Sequence, residues 1–296
     1  MEPRSIELPG ADGVKLHALE WSDEGVPLVF VHGFGNDAHV WDEVAPTVAP
    51  YYRTIAITLR GHGDSGRGET ADRGSGVLVR DLEAAITSLD IERLVIVAHS
   101  LGGRVCTRYA ALHPERMAGF VIVDSAPEMD RRGTTKIRQE TESQMRAVDP
   151  TFASPSDYQR VLERQYPAAK SETLARLATH WTRRREDGRY ELKLDLRPPS
   201  RASASGASAS AVDPEKLRAA AHDERSGLWD DLRRIPCPTL VVRGAASDVL
   251  SAEVADRMVD EALPNGKLVV IPAAGHSVML DNPEAFNRAL ADFALG

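Results

Sequence analysis

The 296-residue chain reads as an α/β protein, a mostly parallel β-sheet covered by helices on both faces. Three observations predict this. Short runs of Val, Ile and Leu alternate with longer stretches of helical periodicity, as expected of strands buried on both faces and their crossover helices. The Gly- and His-rich motifs each follow such a run directly, so they gather outside the C-terminal strand ends, where open α/β sheets bind ligands. Residues 94–103, Leu-Val-Ile-Val-Ala-His-Ser-Leu-Gly-Gly, pass from an apolar run into a serine set between small residues.

The elements follow in order. Val14 to Trp21 alternates apolar and polar residues and predicts an early antiparallel strand. Pro27 to Val31, Arg53 to Leu59, Leu94 to Ala98, Gly119 to Asp124, Pro238 to Arg243 and Lys267 to Ile271 predict the buried strands. Between them, Ala38 to Val48, Val77 to Leu89, Leu101 to Leu112, Ala252 to Leu263 and Glu284 to Leu295 carry helical periodicity. The last helix is well signalled, with Asn282 as its N-cap and Pro283 at its first position.

The pattern breaks between Pro127 and Ile235. Residues 128–234 carry 21 Lys and Arg against 18 Asp and Glu, a surplus of +3, whereas the remainder nets −11. Here β-branched runs disappear, and Tyr158 to Tyr166 and Ser171 to Arg185 read as polar helices. Ser200 to Ala211 alternates Ser, Ala and Gly with no large apolar side chain to bury, and predicts a mobile loop or hinge. The chain therefore divides into a core, 1–127 with 235–296, and an inserted unit, 128–234.

Composition narrows the function classes. With 42% hydrophobic residues the chain can bury a substantial core, and its net charge of −8 with no basic stripe argues against nucleic acid. No apolar run approaches the roughly 18 residues of a membrane span, and the N-terminus lacks a secretory pattern, so the cytoplasm is the expected location. Cys106 and Cys237 read as small core residues rather than a disulfide. Neither metal-ligand spacing nor a dinucleotide-binding Gly-rich turn appears, so no cofactor or metal is expected.

Ser100 would sit on a sharp turn from strand to helix, with its hydroxyl exposed above the sheet. Such a turn crowds the residues two before and two after the serine, which here are the small Ala98 and Gly102, and Gly103 lets the helix pack closely. A serine hydroxyl needs an adjacent base at neutral pH. His276, in the loop after the last core strand, is the best placed of the nine histidines. His32 and His62 suit loop-holding hydrogen bonds, and His99 should point away from the serine beside it.

These motifs, together with Val29-Phe30-Val31-His32-Gly33-Phe34-Gly35, Gly61-His62-Gly63-Asp64-Ser65-Gly66 and Gly275-His276, resemble the α/β-hydrolase family in kind and order. The resemblance runs from about Val14 to Leu295 apart from the insert. Ala98 departs by one methyl group from the usual Gly-x-Ser-x-Gly. The resemblance implies an eight-stranded sheet, a mainly helical cap over residues 128–234, and a triad of Ser100, an acid and His276. Asp248, after the strand Pro238 to Val242, stands where the family most often carries the acid; Asp124, ending the preceding strand, is the rival. The oxyanion-hole donors map to the backbone N–H groups of Phe34 and Leu101, with the Phe34 side chain shaping the pocket floor.

The expected chemistry is hydrolysis of a small-molecule carboxylic ester through an acyl-enzyme on Ser100, lactones and thioesters needing the same parts. A serine in this position excludes the dehalogenases and epoxide hydrolases of the fold, which use an aspartate there. The alternatives are C–C bond hydrolysis of ring-cleavage diketo acids, a cofactor-free lyase or synthase on the same triad, and a small-molecule receptor. Trp181 and Trp229 are candidates for the pocket lining or for anchoring the cap. The Arg183-Arg184-Arg185 run fits either an anionic substrate group or attraction between a basic cap and an acidic core.

Overall fold

The computed structural model describes residues 1–69, 74–128, 151–197 and 226–296. Its centre is an eight-stranded sheet in the order β1-β2-β4-β3-β5-β6-β10-β11. The strands are β1 (Arg4–Pro9), β2 (Lys15–Glu20), β3 (Val26–Val31), β4 (Tyr52–Ile57), β5 (Leu94–His99), β6 (Met117–Val123), β10 (Thr239–Gly244) and β11 (Gly266–Ile271). β2 runs antiparallel to β1 and β4, and the pairings from β4 through β3, β5, β6 and β10 to β11 are all parallel. The expected strands lie within two residues of these bounds. β1 was not expected: it is an edge strand that buries only Leu8 fully, and two apolar residues make a faint alternation.

Alternate side chains of each central strand enter opposite halves of the core. On β5, Leu94, Ile96 and Ala98 join one cluster with α2 (Ser75–Ser88) and α3 (Leu101–Leu112), while Val95 and Val97 join the other. The second cluster includes Phe30, Trp41, and Phe286 and Leu290 of the C-terminal helix Pro283–Leu295, which Asn282 caps through Ala285 N–H. Burial on both faces explains why these strands read as unbroken apolar runs. Two expected helices are interrupted. Ala38 to Val48 divides into a 3₁₀ turn, Ala38–Trp41, and α1, Ala45–Val48, because Pro46 lacks an N–H and its ring would clash with the Asp42 carbonyl. Ala252 to Leu263 is α-helical only to Arg257 and finishes as a π turn, Met258–Ala262.

The insert between β6 and β10 contains α4 (Pro155–Gln165), α5 (Ser171–His180) and a helix over residues 226–233. It also holds a small antiparallel sheet of β7 (Thr151–Phe152), β8 (Thr182–Arg184) and β9 (Tyr190–Leu192), which a reading of polar helices does not include. The helix expected over Ser171 to Arg185 thus ends at His180, and Arg183 and Arg184 lie in β8. Tyr158, Leu162, Leu174, Leu177 and Trp181 bury themselves in the second core cluster, so α4 and α5 pack onto the core. The Ser/Ala-rich segment 200–211 lies outside the described residues. Both cysteines are free and buried, and burial pushes the Cys106 thiol well above its ordinary range. Among the described residues no helix is long and apolar enough to cross a membrane.

A buried ion pair fastens the loop after β4 to α2. Arg60 Nε and Nη2 each donate to an Asp81 carboxylate oxygen at 2.6 Å, and Ala11 N–H donates to the same carboxylate at 2.8 Å. Both side chains are at most 3% exposed. Asp81→Asn should therefore cost about 3 kcal/mol or more in urea unfolding, since it removes the buried carboxylate that Arg60 and Ala11 N–H both bond. A loss below about 1 kcal/mol would show that the pair is dispensable.

Candidate active site

Ser100 occupies the turn between β5 and α3 with φ 50° and ψ −115°, a conformation that a non-glycine residue adopts only when its surroundings hold it there. Those surroundings are the end of β6. Ser100 N–H donates to Val123 O at 3.1 Å, and Ser125 Oγ–H donates to Ser100 O at 2.7 Å. Gly102 allows the turn to approach β3, because a Cβ there would lie 2.6 Å from His32 O and 2.7 Å from Val31 O. A Cβ on Gly103 would strike the Ser125 side chain. The two glycines thus admit close packing against neighbouring strand ends, a wider reason than helix packing alone.

His276 stands beside the serine. Ser100 Oγ–H donates to His276 Nε2 at 2.9 Å, and His276 Nδ1–H donates to Asp124 Oδ2 at 2.8 Å. The directions follow from the carboxylate, which only accepts, so Nδ1 carries the proton and Nε2 offers its lone pair to the hydroxyl. Asp124 is fully buried at the end of β6, with φ 43°. It also accepts from Gly244 N–H at 3.0 Å and from Ser247 Oγ–H at 2.5 Å.

This geometry brings Asp124, and not the expected Asp248, against His276. Both ring nitrogens of His276 are engaged by Ser100 and Asp124, and Asp248 is on the exposed side of its turn. The physical reason is a matter of one residue. β10 ends at Gly244, and a turn closed by Ser247 N–H to Gly244 O at 3.0 Å aims residue 247 inward and residue 248 outward. The inward residue is a serine, which donates to Asp124 and accepts from Val249 and Leu250 N–H, each at 3.1 Å. Ser247 and Ser125 are site residues that sequence reasoning missed. The available signal was the Ser-Asp order itself, which leaves the aspartate one position too late.

The loop after β3 carries Phe34. His32 accepts Leu59 N–H at Nε2, 2.9 Å away, so its Nδ1–H donates to Gly33 O at 2.7 Å. In a trans peptide the carbonyl and the next N–H point in opposite directions, so His32 also sets the direction of Phe34 N–H. Burial, reinforced by neighbouring His62, holds His32 well below the usual imidazole range. The Phe34 ring meets His62 edge-on, with centroids 5.6 Å apart. His62 in turn donates from Nδ1 to Arg60 O at 3.0 Å, so both loop histidines hold backbone as expected. Leu101 opens α3, where a helix N–H has no partner within the helix.

The two tryptophans have different surroundings. Trp181 is buried and donates its indole N–H to Asp37 Oδ1 at 2.8 Å, and its ring lines a pocket with Gly35, Asn36, Tyr158 and Lys193. Asp37 caps the 3₁₀ turn that follows the Phe34 loop, so Trp181 ties the insert to that loop. Trp229 packs in the first core cluster beneath the Arg257 guanidinium, 4.6 Å from its ring centroid, and serves as an anchor. Two of the three arginines of the run face acids: Arg183 pairs with Glu191 at 2.7 Å, and Arg185 with Asp187 at 3.4 Å.

Among the described residues, one grouping of metal-ligating side chains occurs, His39, Asp42 and His180, with ligand atoms within 4.8 Å of one another. The two imidazoles stack face to face, centroids 3.5 Å apart and 15° between planes, so their lone pairs lie in nearly parallel planes and do not converge. Arg176 Nε also lies 3.2 Å from Asp42 Oδ2. The grouping is a contact between α5 and the core. Burial, then the neighbouring His39, pushes His180 down to about 4, so it is neutral at pH 7.

The family model for the α/β hydrolase fold matches residues 26–283, and the chain belongs to that family. The chain is 29% identical over 290 residues to a pimeloyl-[acyl-carrier protein] methyl ester esterase of Edwardsiella ictaluri, covering 95% of this chain and 99% of that one. It is 26% identical over 269 residues to a 2-(acetamidomethylene)succinate hydrolase of Mesorhizobium japonicum, covering 91% and 88%. A crystal structure of E-2-(acetamidomethylene)succinate hydrolase superposes with a TM-score of 0.80 at 23% identity, over 99% of this chain and 100% of that one, which shows the shared fold. The family and its hydrolase and esterase relatives support an enzyme.

Gly244 tests how closely the strand ends must approach. A Cβ there would strike Gly275 O in the His276 loop, and backbone cannot move aside as a flexible side chain can. Gly244→Ala should cost about 1–3 kcal/mol in thermal unfolding and push the His276 loop away from Asp124. A variant with unchanged stability would show that the loop relaxes freely.

Proposed function

We propose that the protein is a serine hydrolase of small carboxylic esters, acting through an acyl-enzyme on Ser100. The observation that carries this reading is the unbroken relay from Ser100 Oγ through His276 to buried Asp124, at 2.9 and 2.8 Å. His276 takes the serine proton as Oγ attacks the ester carbonyl. The oxygen of the tetrahedral intermediate bears the negative charge, and Phe34 and Leu101 N–H donate to it. Collapse expels the alcohol, which takes its proton from His276 and leaves the acyl group on Ser100. Water then attacks the acyl-enzyme, giving up a proton to His276, and the acid departs as Ser100 is restored.

Asp124 is the acid of this triad. It fixes the His276 tautomer and stabilises the imidazolium that forms. The family relative named as a methyl ester esterase supports the ester class. Residues 128–234 act as the cap, with Trp181 holding it against the oxyanion loop. Lactones and thioesters need the same parts. With Arg183 and Arg185 already facing acids, the arginine run offers no specific support for an anionic substrate, so the C–C hydrolase reading is not preferred.

A fluorophosphonate probe should label the protein at Ser100 and leave Ser100→Ala unlabelled. Ser100→Ala should lose on the order of 10⁵-fold or more in kcat on nitrophenyl esters while keeping its unfolding transition. Turnover that survives this substitution, or labelling at another residue, would refute the reading. Asp124→Asn should lower kcat by about 10⁴-fold, because an amide can favour the wrong tautomer, whereas Asp248→Asn should stay near the parent. The reverse pattern would return the role to Asp248.

A further inference from the structure

His99 ends β5 beside the nucleophile, yet the relay does not use it. Its side chain is 2% exposed and lies on the Val95 and Val97 face of the strand. His99 Nε2 is 2.9 Å from the main-chain oxygen of His276, and the two imidazoles lie 4.7 Å apart at 41°. A carbonyl only accepts, so Nε2 carries the proton and Nδ1 is left with a bare lone pair. Among the described residues that buried Nδ1 has no hydrogen-bond partner, in a place where an apolar side chain would leave nothing unsatisfied. Nδ1 also faces the oxyanion loop: a Cβ on Gly33 would lie 2.7 Å from it. One imidazole therefore fills the gap between the loop of the base and the loop of the oxyanion donor.

We propose that His99 is a positioning residue for His276, holding the main chain of the base in register with Ser100; this rests on the reading of Ser100 as the nucleophile. The bond spans 177 positions of sequence, so it sets the distance between nucleophile and base directly. Gly275 N–H to Asp281 Oδ2 at 2.8 Å and Ala246 N–H to Ala274 O at 2.9 Å hold the residues before His276, and Asp124 holds its ring, whereas the His99 bond acts on the main chain of His276 itself. Burial, then neighbouring His276, keeps His99 well below the usual imidazole range, so it stays neutral when His276 becomes an imidazolium.

The test compares His99→Leu, His99→Gln and His99→Asn in the full chain, once the fluorophosphonate probe has labelled parent Ser100. Leucine fills the space without a donor. Glutamine places an amide N–H near the position of Nε2, and asparagine is too short to reach. His99→Leu and His99→Asn should lose about 10- to 100-fold in kcat with KM within about twofold, because a misplaced base weakens chemistry more than binding. The rate of fluorophosphonate labelling should fall in step. His99→Gln should recover at least half of that loss on a logarithmic scale. If His99→Leu does not fold, the comparison of glutamine with asparagine decides. A folded variant without the donor that keeps parental kcat, or a glutamine variant no better than asparagine, would overturn the proposal. A parent protein unlabelled at Ser100 would overturn the nucleophile reading instead.

Discussion

The carboxylate of Asp124 is the point on which the site depends. It is fully buried, and a buried carboxylate is tolerable only when hydrogen-bond donors replace the water it has lost. Its donors come from three places: Gly244 N–H at the end of β10, Ser247 Oγ–H in the turn beyond, and His276 Nδ1–H after β11. Satisfying one buried group thus fixes the relative heights of β6, β10 and the His276 loop. The same strand end fixes Ser100, since Val123 O and Ser125 Oγ hold its backbone on either side of Asp124. Strain at Ser100 and Asp124, both with positive φ, is held by this network.

Histidine side chains extend the network without sharing its chemistry. His32 and His62 bond to backbone and shape the loop that carries Phe34, and His99 bonds to the carbonyl of His276. Burial holds both His32 and His99 well below the usual imidazole range. Trp181 joins the insert to the same loop through Asp37. Movement of the insert would therefore be felt first at the loop that carries Phe34.

The sheet and its helices were legible because their constraints are dense in sequence. β3, β5, β6 and β10 are buried on both faces, and each strand spells this out in consecutive apolar residues. Glycines in the loops marked the close approaches. Where the constraint was sparse, the reading failed: β1 buries one face of an edge strand, and β7, β8 and β9 are two or three residues long. The place of Asp248 was hidden for a different reason. Asp124 and Asp248 both follow parallel strands, and only the turn from Gly244 to Ser247 decides which side chain faces inward. A one-residue register in a turn has no periodic signal.

The most direct test of this account is the low-field proton resonance of the His276 Nδ1–H, assigned by ¹⁵N-histidine NMR with His276→Ala as the blank. A hydrogen bond to a carboxylate should move this proton downfield of the other imidazole N–H signals. The account predicts that the resonance persists in Asp248→Asn and is lost or moves markedly upfield in Asp124→Asn. A resonance that survives Asp124→Asn and vanishes in Asp248→Asn would contradict it.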